Sequence, residues 1–179
     1  MFVSLTIWAK YNSPEKLLYF FKPVTLILIS LIPFVFGFEW SLFSKLVYSA
    51  FFFSLAGDIC LMFPKKLFAY GLAGFLIAHI FLIAAFYSLG FPMEIAPLIP
   101  ILLISTIYLL NMKKDIAKFK APILLYMLTI SLMVYFALNN CLQQPNSQNI
   151  FILSGAILFY VSDAVLAYNK FKSKFYFAE

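Results

Sequence analysis

Acidic side chains are scarce in this chain, seven in 179 residues, and arginine is absent, so that all 13 basic residues are lysines. Without the planar guanidinium fork there is no bidentate grip on phosphate, and no nucleic-acid partner is expected. One histidine, His79, and two cysteines, Cys60 and Cys141, leave little for a metal centre. The two thiols are expected near opposite membrane faces, which favours core packing over a disulfide. There is no Gly-x-Ser-x-Gly elbow and no Ser-His-Asp order, so the sequence supplies no activated nucleophile for acyl transfer. Composition shifts, Gly/Ser-rich linkers, repeats and low-complexity tracts are also missing, and one domain is expected. The first nine residues are apolar but have no basic leader and no Ala-x-Ala-like site, which argues against a signal peptide.

What fills the chain is apolar surface. Hydrophobic residues make up 64% and charged ones 11%, against about 45–50% apolar in soluble domains; mean hydropathy is +0.97. These values predict an all-α, polytopic transmembrane helix bundle. Runs that meet the ~17–25 residues of a spanning helix fall at about 22–38, 42–63, 67–89, 95–111, 121–141 and 149–169, six in all. They are separated by Gly37-Phe38-Glu39, Pro64-Lys65-Lys66, Gly90-Phe91-Pro92, the basic stretch Lys113 to Lys120, and Gln143 to Ser147. Pro23 and Pro122 suit first-turn positions. The chain thus divides into a short N-terminal segment (1–21), the bundle (22–171) and a tail (172–179).

Loop charge orients the bundle. Lys10, Lys16 and Lys22 precede the first run, Lys65 and Lys66 follow the second, Lys113 to Lys120 the fourth, and Lys170, Lys172 and Lys174 the sixth. All four clusters fall on one side, so both termini are expected in the cytoplasm of what reads as a bacterial inner membrane.

Five acidic residues (Glu15, Glu39, Glu94, Asp115, Glu179) lie between apolar runs or in the tail, whereas Asp58 and Asp163 lie inside runs. A carboxylate at membrane depth costs about 2.5–3.5 kcal/mol on insertion scales, so its default reading is functional. Each sits about six residues, ~9 Å, below the cytoplasmic end of its helix, and His79 sits ~18 Å deep. Three ligands at two depths make a poor metal site, and no metal or other cofactor is expected.

The carboxylates have small or polar neighbours. Ser54 lies four residues before Asp58 on one face, with Gly57 adjacent; Ser154 and Gly155 precede Ser162-Asp163; Gly74 and Ala78 form a small-xxx-small pair leading to His79. Tyr126, Thr129 or Ile130, Met133, Ala137 and Asn140 form one stripe of the fifth run. A polar-lined pocket among the second, third, fifth and sixth helices is the simplest arrangement of these residues. A lone histidine is as often a satisfied core residue as a site residue. The tyrosines, Trp8 and Trp40 near span ends read as interface anchors.

At these residues the chain resembles the lysoplasmalogenase-like family of small integral membrane hydrolases. The matching motifs are Lys22-Pro23-Val24-Thr25, Ser54-Leu55-Ala56-Gly57-Asp58, Gly71-Leu72-Ala73-Gly74-Phe75 running into Ala78-His79-Ile80, Ala121-Pro122-Ile123-Leu124-Leu125-Tyr126, and Gly155 to Phe159 running into Ser162-Asp163 with Leu166-Ala167. The resemblance covers residues 22–171. Two departures stand out: Leu82 replaces a usual tyrosine, and the terminal family helices are short or absent, as expected of an abbreviated member or a fragment.

The resemblance implies cleavage of the vinyl ether of a lysophospholipid substrate, a lysoplasmalogen, within membrane lipid. Asp58 and Asp163 are then the catalytic carboxyl groups, and Lys22, His79, Ser54 and Tyr126 the substrate-binding residues. Acid cleavage of an enol ether needs one proton donor and one carboxylate, as in glycoside hydrolysis. A small proton- or solute-coupled transporter would also use an intramembrane Asp pair, although no matching Gly/Pro-broken helices suggest an inverted repeat. A non-catalytic lipid-binding or assembly subunit is the third reading. Oligomeric state is left open.

Overall fold

A computed structural model describes residues 24, 27, 28, 31, 40–61, 63–112 and 120–171. Among the described residues there are five α-helices and no strand: α1 Leu42–Leu61, α2 Pro64–Tyr87, α3 Leu98–Met112, α4 Lys120–Gln143 and α5 Ser147–Phe171. The all-α class expected from composition is therefore observed. Four of these helices are long and apolar enough to cross a membrane, within Leu42–Leu61, Leu67–Tyr87, Ala121–Gln143 and Ser147–Tyr168. The first expected span lies outside the described residues except for Val24, Ile27, Leu28 and Leu31, which are helical. Lys22, the N-terminal segment before it and the tail also lie outside them.

Two expected boundaries shift for identifiable reasons. Pro64 opens α2 and does not lie in the preceding loop; at the first helical position its missing amide removes no hydrogen bond and its fixed φ already suits a helix. The fourth expected span is the 15-residue α3, starting at Leu98. Pro92 and Pro97 precede it, and a proline biases the residue before it away from the α region.

The chain falls into two compact units, Met1–Ala85 and Phe86–Glu179. In the first, α1 starts at a serine cap: the Ser44 amide donates to Ser41 Oγ at 3.1 Å, satisfying one of the donors that a helix start leaves open. Gly57, in the buried stripe Ala50, Ser54 and Gly57 of α1, lies against Gly71, Gly74 and Phe75 of α2. The approach is backbone on backbone. A Cβ on Gly74 would stand 3.0 Å from Gly57 Cα and 3.1 Å from Phe53 O, and one on Gly71 would stand 2.7 Å from the Leu61 side chain. Phe53 and Phe81 stack across the same crossing, with ring centroids 5.5 Å apart. Since lipid offers no hydrophobic drive for helices to associate, close packing at small residues is what holds this hairpin.

The second unit is a three-helix bundle whose polar contacts lie at three levels. At one end, Gly90 takes φ 74° and its amide donates to Tyr87 O at 3.0 Å, a left-handed ending that glycine adopts without strain. Beyond it residues 90–94 run without regular structure, and α4 side chains satisfy their backbone. Asn139 Nδ2 donates to Pro92 O at 2.8 Å, Asn139 Oδ1 accepts from the Glu94 amide at 3.0 Å, and the Tyr135 hydroxyl donates to Glu94 O at 3.0 Å. Asn140 Nδ2 reaches Phe86 O at 2.8 Å. Both asparagines are almost fully buried, at 1% and 2% exposure. Irregular backbone leaves polar groups without helical partners, and here side chains of α4 pair several of them.

Halfway along, the Ser105 hydroxyl on α3 lies 2.7 Å from Ser131 Oγ on α4 and 2.8 Å from the Tyr160 hydroxyl on α5, joining all three helices. The third level lies past this cluster, on the turns of α4 and α5 that carry Tyr126 and Asp163. At the α4–α5 turn Asn146 caps α5, accepting from the Asn149 amide at 2.8 Å.

Candidate functional site

The stripe of α4 expected to face inward does so: Tyr126, Thr129, Ile130, Met133, Ala137 and Asn140 are all buried. Pro122, in the first turn of α4, leaves that turn intact, and the 3.6-residue repeat then carries Tyr126 to the bundle side. There its hydroxyl donates a hydrogen bond to Asp163 Oδ2 on α5, across 37 positions of sequence. Two residues singled out separately are thus brought into direct contact. Asp163 is half-buried, so its carboxyl group sits at the wall of an apolar bundle with a fixed phenolic donor. A directional bond of this kind holds the acceptor in one orientation.

One residue beyond Asp163, the carbonyl of Ala164 accepts from the Tyr108 hydroxyl of α3 at 2.5 Å. Tyr108, Ser105, Ser131 and Tyr160 were not singled out from sequence. The signal available was Ser105 and Tyr108 spaced by three on one face of a mostly apolar helix. Asn139, next to the expected Asn140, was also missed.

In the first unit Ser54 is buried and Asp58 half-buried, the latter on the flank of the stripe that meets α2. His79 is completely buried. Because Gly57 lies over Gly74 and Phe53 over Phe81, His79 falls at the level of Ser54, about one 5.4 Å turn farther than Asp58 from the connection to α2. The small-residue expectation holds for Gly57, Gly71 and Gly74 but not for Gly155, where a Cβ would meet no atom within 4 Å. Its neighbour Ala156 is buried instead. Cys60 and Cys141 are free thiols, and Trp40, at the start of α1, is 63% exposed, as suits an interface anchor. Lys22 lies outside the described residues.

Long apolar helices, backbone satisfied within the protein and polar groups held on inward stripes define the class: an all-α integral membrane protein. Residues 17–179 match the model of the YhhN family. The chain therefore belongs to that family, which is the lysoplasmalogenase-like family. No curated protein and no solved structure matches the chain.

Proposed function

We propose that the protein is a membrane hydrolase that cleaves the vinyl ether bond of lysoplasmalogens, with Asp58 and Asp163 as its two carboxyl groups. The observation that carries this reading is the Tyr126–Asp163 hydrogen bond, a carboxyl group held in one orientation on an apolar helix of a chain from the lysoplasmalogenase-like family. One carboxyl group delivers a proton to the β-carbon of the enol ether, leaving an oxocarbenium ion. Water adds to that cation, and the resulting hemiacetal collapses to a fatty aldehyde and a glycerophospho-alcohol. The proton released by the added water restores the acid, so no other reactant is consumed. The second carboxylate is assigned to stabilising the positive charge that develops, as in glycosidases. Lys22, as a point charge, and Ser54 and His79, as hydrogen-bonding groups, are assigned to substrate binding on sequence grounds.

The test uses purified protein in lipid discs, with alkenyl and acyl lysophospholipids offered in parallel in deuterated water. The alkenyl lipid should release aldehyde that carries deuterium on the carbon beside the carbonyl, with or without a chelator, while the acyl lipid stays intact. Free fatty acid as the main product, loss of activity on chelation, or aldehyde without the label under non-exchanging conditions would each defeat the mechanism.

A further inference from the structure

We propose that Tyr108 and Tyr126 are positioning residues that clamp Asp163 between two helices. The inference rests on the hydrolase reading above and revises the expected role of Tyr126 from substrate contact to carboxyl orientation. Both phenols approach the same turn of α5 from different partners. Tyr126, from α4, donates to the Asp163 carboxyl oxygen, and Tyr108, from α3, donates to the carbonyl of the next residue, Ala164, at 2.5 Å. A helical carbonyl has a second lone pair beyond the one its own helix uses, so Tyr108 can fix the α5 backbone without breaking its ladder. The two bonds do different work: one sets the side-chain rotamer, the other the height and rotation of the turn that carries it.

The rest of the bundle reinforces that turn. One turn back from Asp163, on the same face of α5, the Tyr160 hydroxyl lies 2.8 Å from Ser105 of α3, so α5 is tied to α3 on both sides of the carboxyl-bearing residue. Rotation of α5 about its axis would have to break both ties. Tyr126 is itself buried, and its hydroxyl is engaged with the carboxyl group. That engagement suits a group that acts through Asp163 better than one that meets lipid.

The experiment compares the full-length wild type, Tyr126→Phe and Tyr108→Phe in lipid discs, each alone and in an Asp163→Asn background, with Tyr70→Phe on the exposed side of α2 as a control. Phenylalanine keeps the ring and removes only the donor. Misplacing a reacting group by about 1 Å costs on the order of 10²-fold in rate. Tyr126→Phe should therefore lower kcat by about tenfold or more with KM within twofold, and Tyr108→Phe should lower kcat by a smaller factor, again at constant KM. In the Asp163→Asn background neither substitution should lower the residual rate further, since groups acting as a unit are non-additive. The infrared band of Asp163, assigned by difference against Asp163→Asn, should shift in Tyr126→Phe and broaden in Tyr108→Phe.

A raised KM at unchanged kcat, or equal losses with and without the Asp163 carboxyl group, would overturn the clamp. If the wild type itself released no aldehyde, the hydrolase reading would fall and the infrared band alone would decide: altered in both variants it upholds the clamp, unaltered in both it overturns it.

Discussion

Asp163 is held by neighbours that its own helix does not contain. The placement of Asp58 and Asp163 within apolar runs was legible from charge alone, because an isolated carboxylate stands out against some twenty uncharged residues. Their partners were not. A phenol 37 residues away reaches Asp163 only if α4 and α5 have particular rotational phases. Helical periodicity gives the buried face of each helix but not which residues of two faces meet. The same limit hid Tyr108, one of 11 tyrosines, most of which look like interface anchors in a sequence. At this scale the carboxyl groups are tested directly. Asp58→Asn and Asp163→Asn should each lower aldehyde release by about 10²-fold or more, the usual scale for a positioned acid or base. The double variant should be little worse than either single one. Full activity in a folded single variant would remove that residue from the mechanism.

Helices α1, α2, α4 and α5 were legible as elements because each is a long apolar run bounded by lysines, glycines or polar residues. The closeness of α1 to α2 was legible too, since Gly57, Gly71 and Gly74 mark a surface where backbones meet. Gly155 looked equivalent, and only the structure separates it from them. That difference gives a paired prediction. Gly74→Ala places a methyl group against Gly57 Cα at 3.0 Å and Gly57 N at 3.1 Å, backbone atoms that cannot turn aside. It should destabilise the protein by about 1–3 kcal/mol, as overpacking does. Gly155→Ala meets open space and gains up to about 1 kcal/mol of helix propensity. Thermal unfolding in detergent, followed by circular dichroism, should move down for the first and stay level or rise for the second. Equal shifts in both would mean that the crossing is looser than it stands here.

For the whole molecule, the charge asymmetry of the loops leads us to expect both termini in the cytoplasm. A reporter active only outside the cytoplasm, fused after Glu179, should stay silent; a strong external signal would invert the depths assigned to Asp58 and Asp163. The least legible part of the chain at this scale was the segment between α2 and α3, where the run 95–111 reads as one full crossing. The helix that follows starts only at Leu98, and the stretch before it is bonded to side chains of α4: Asn139 and Tyr135 engage the backbone at Pro92 and Glu94. A connection tied down in this way is no slack tether. Exposed loop tips are the usual sites of nicking, and a segment whose backbone is bonded to the body of the protein escapes it. Proteases added to the protein in lipid discs should therefore spare the chain between Gly90 and Leu98.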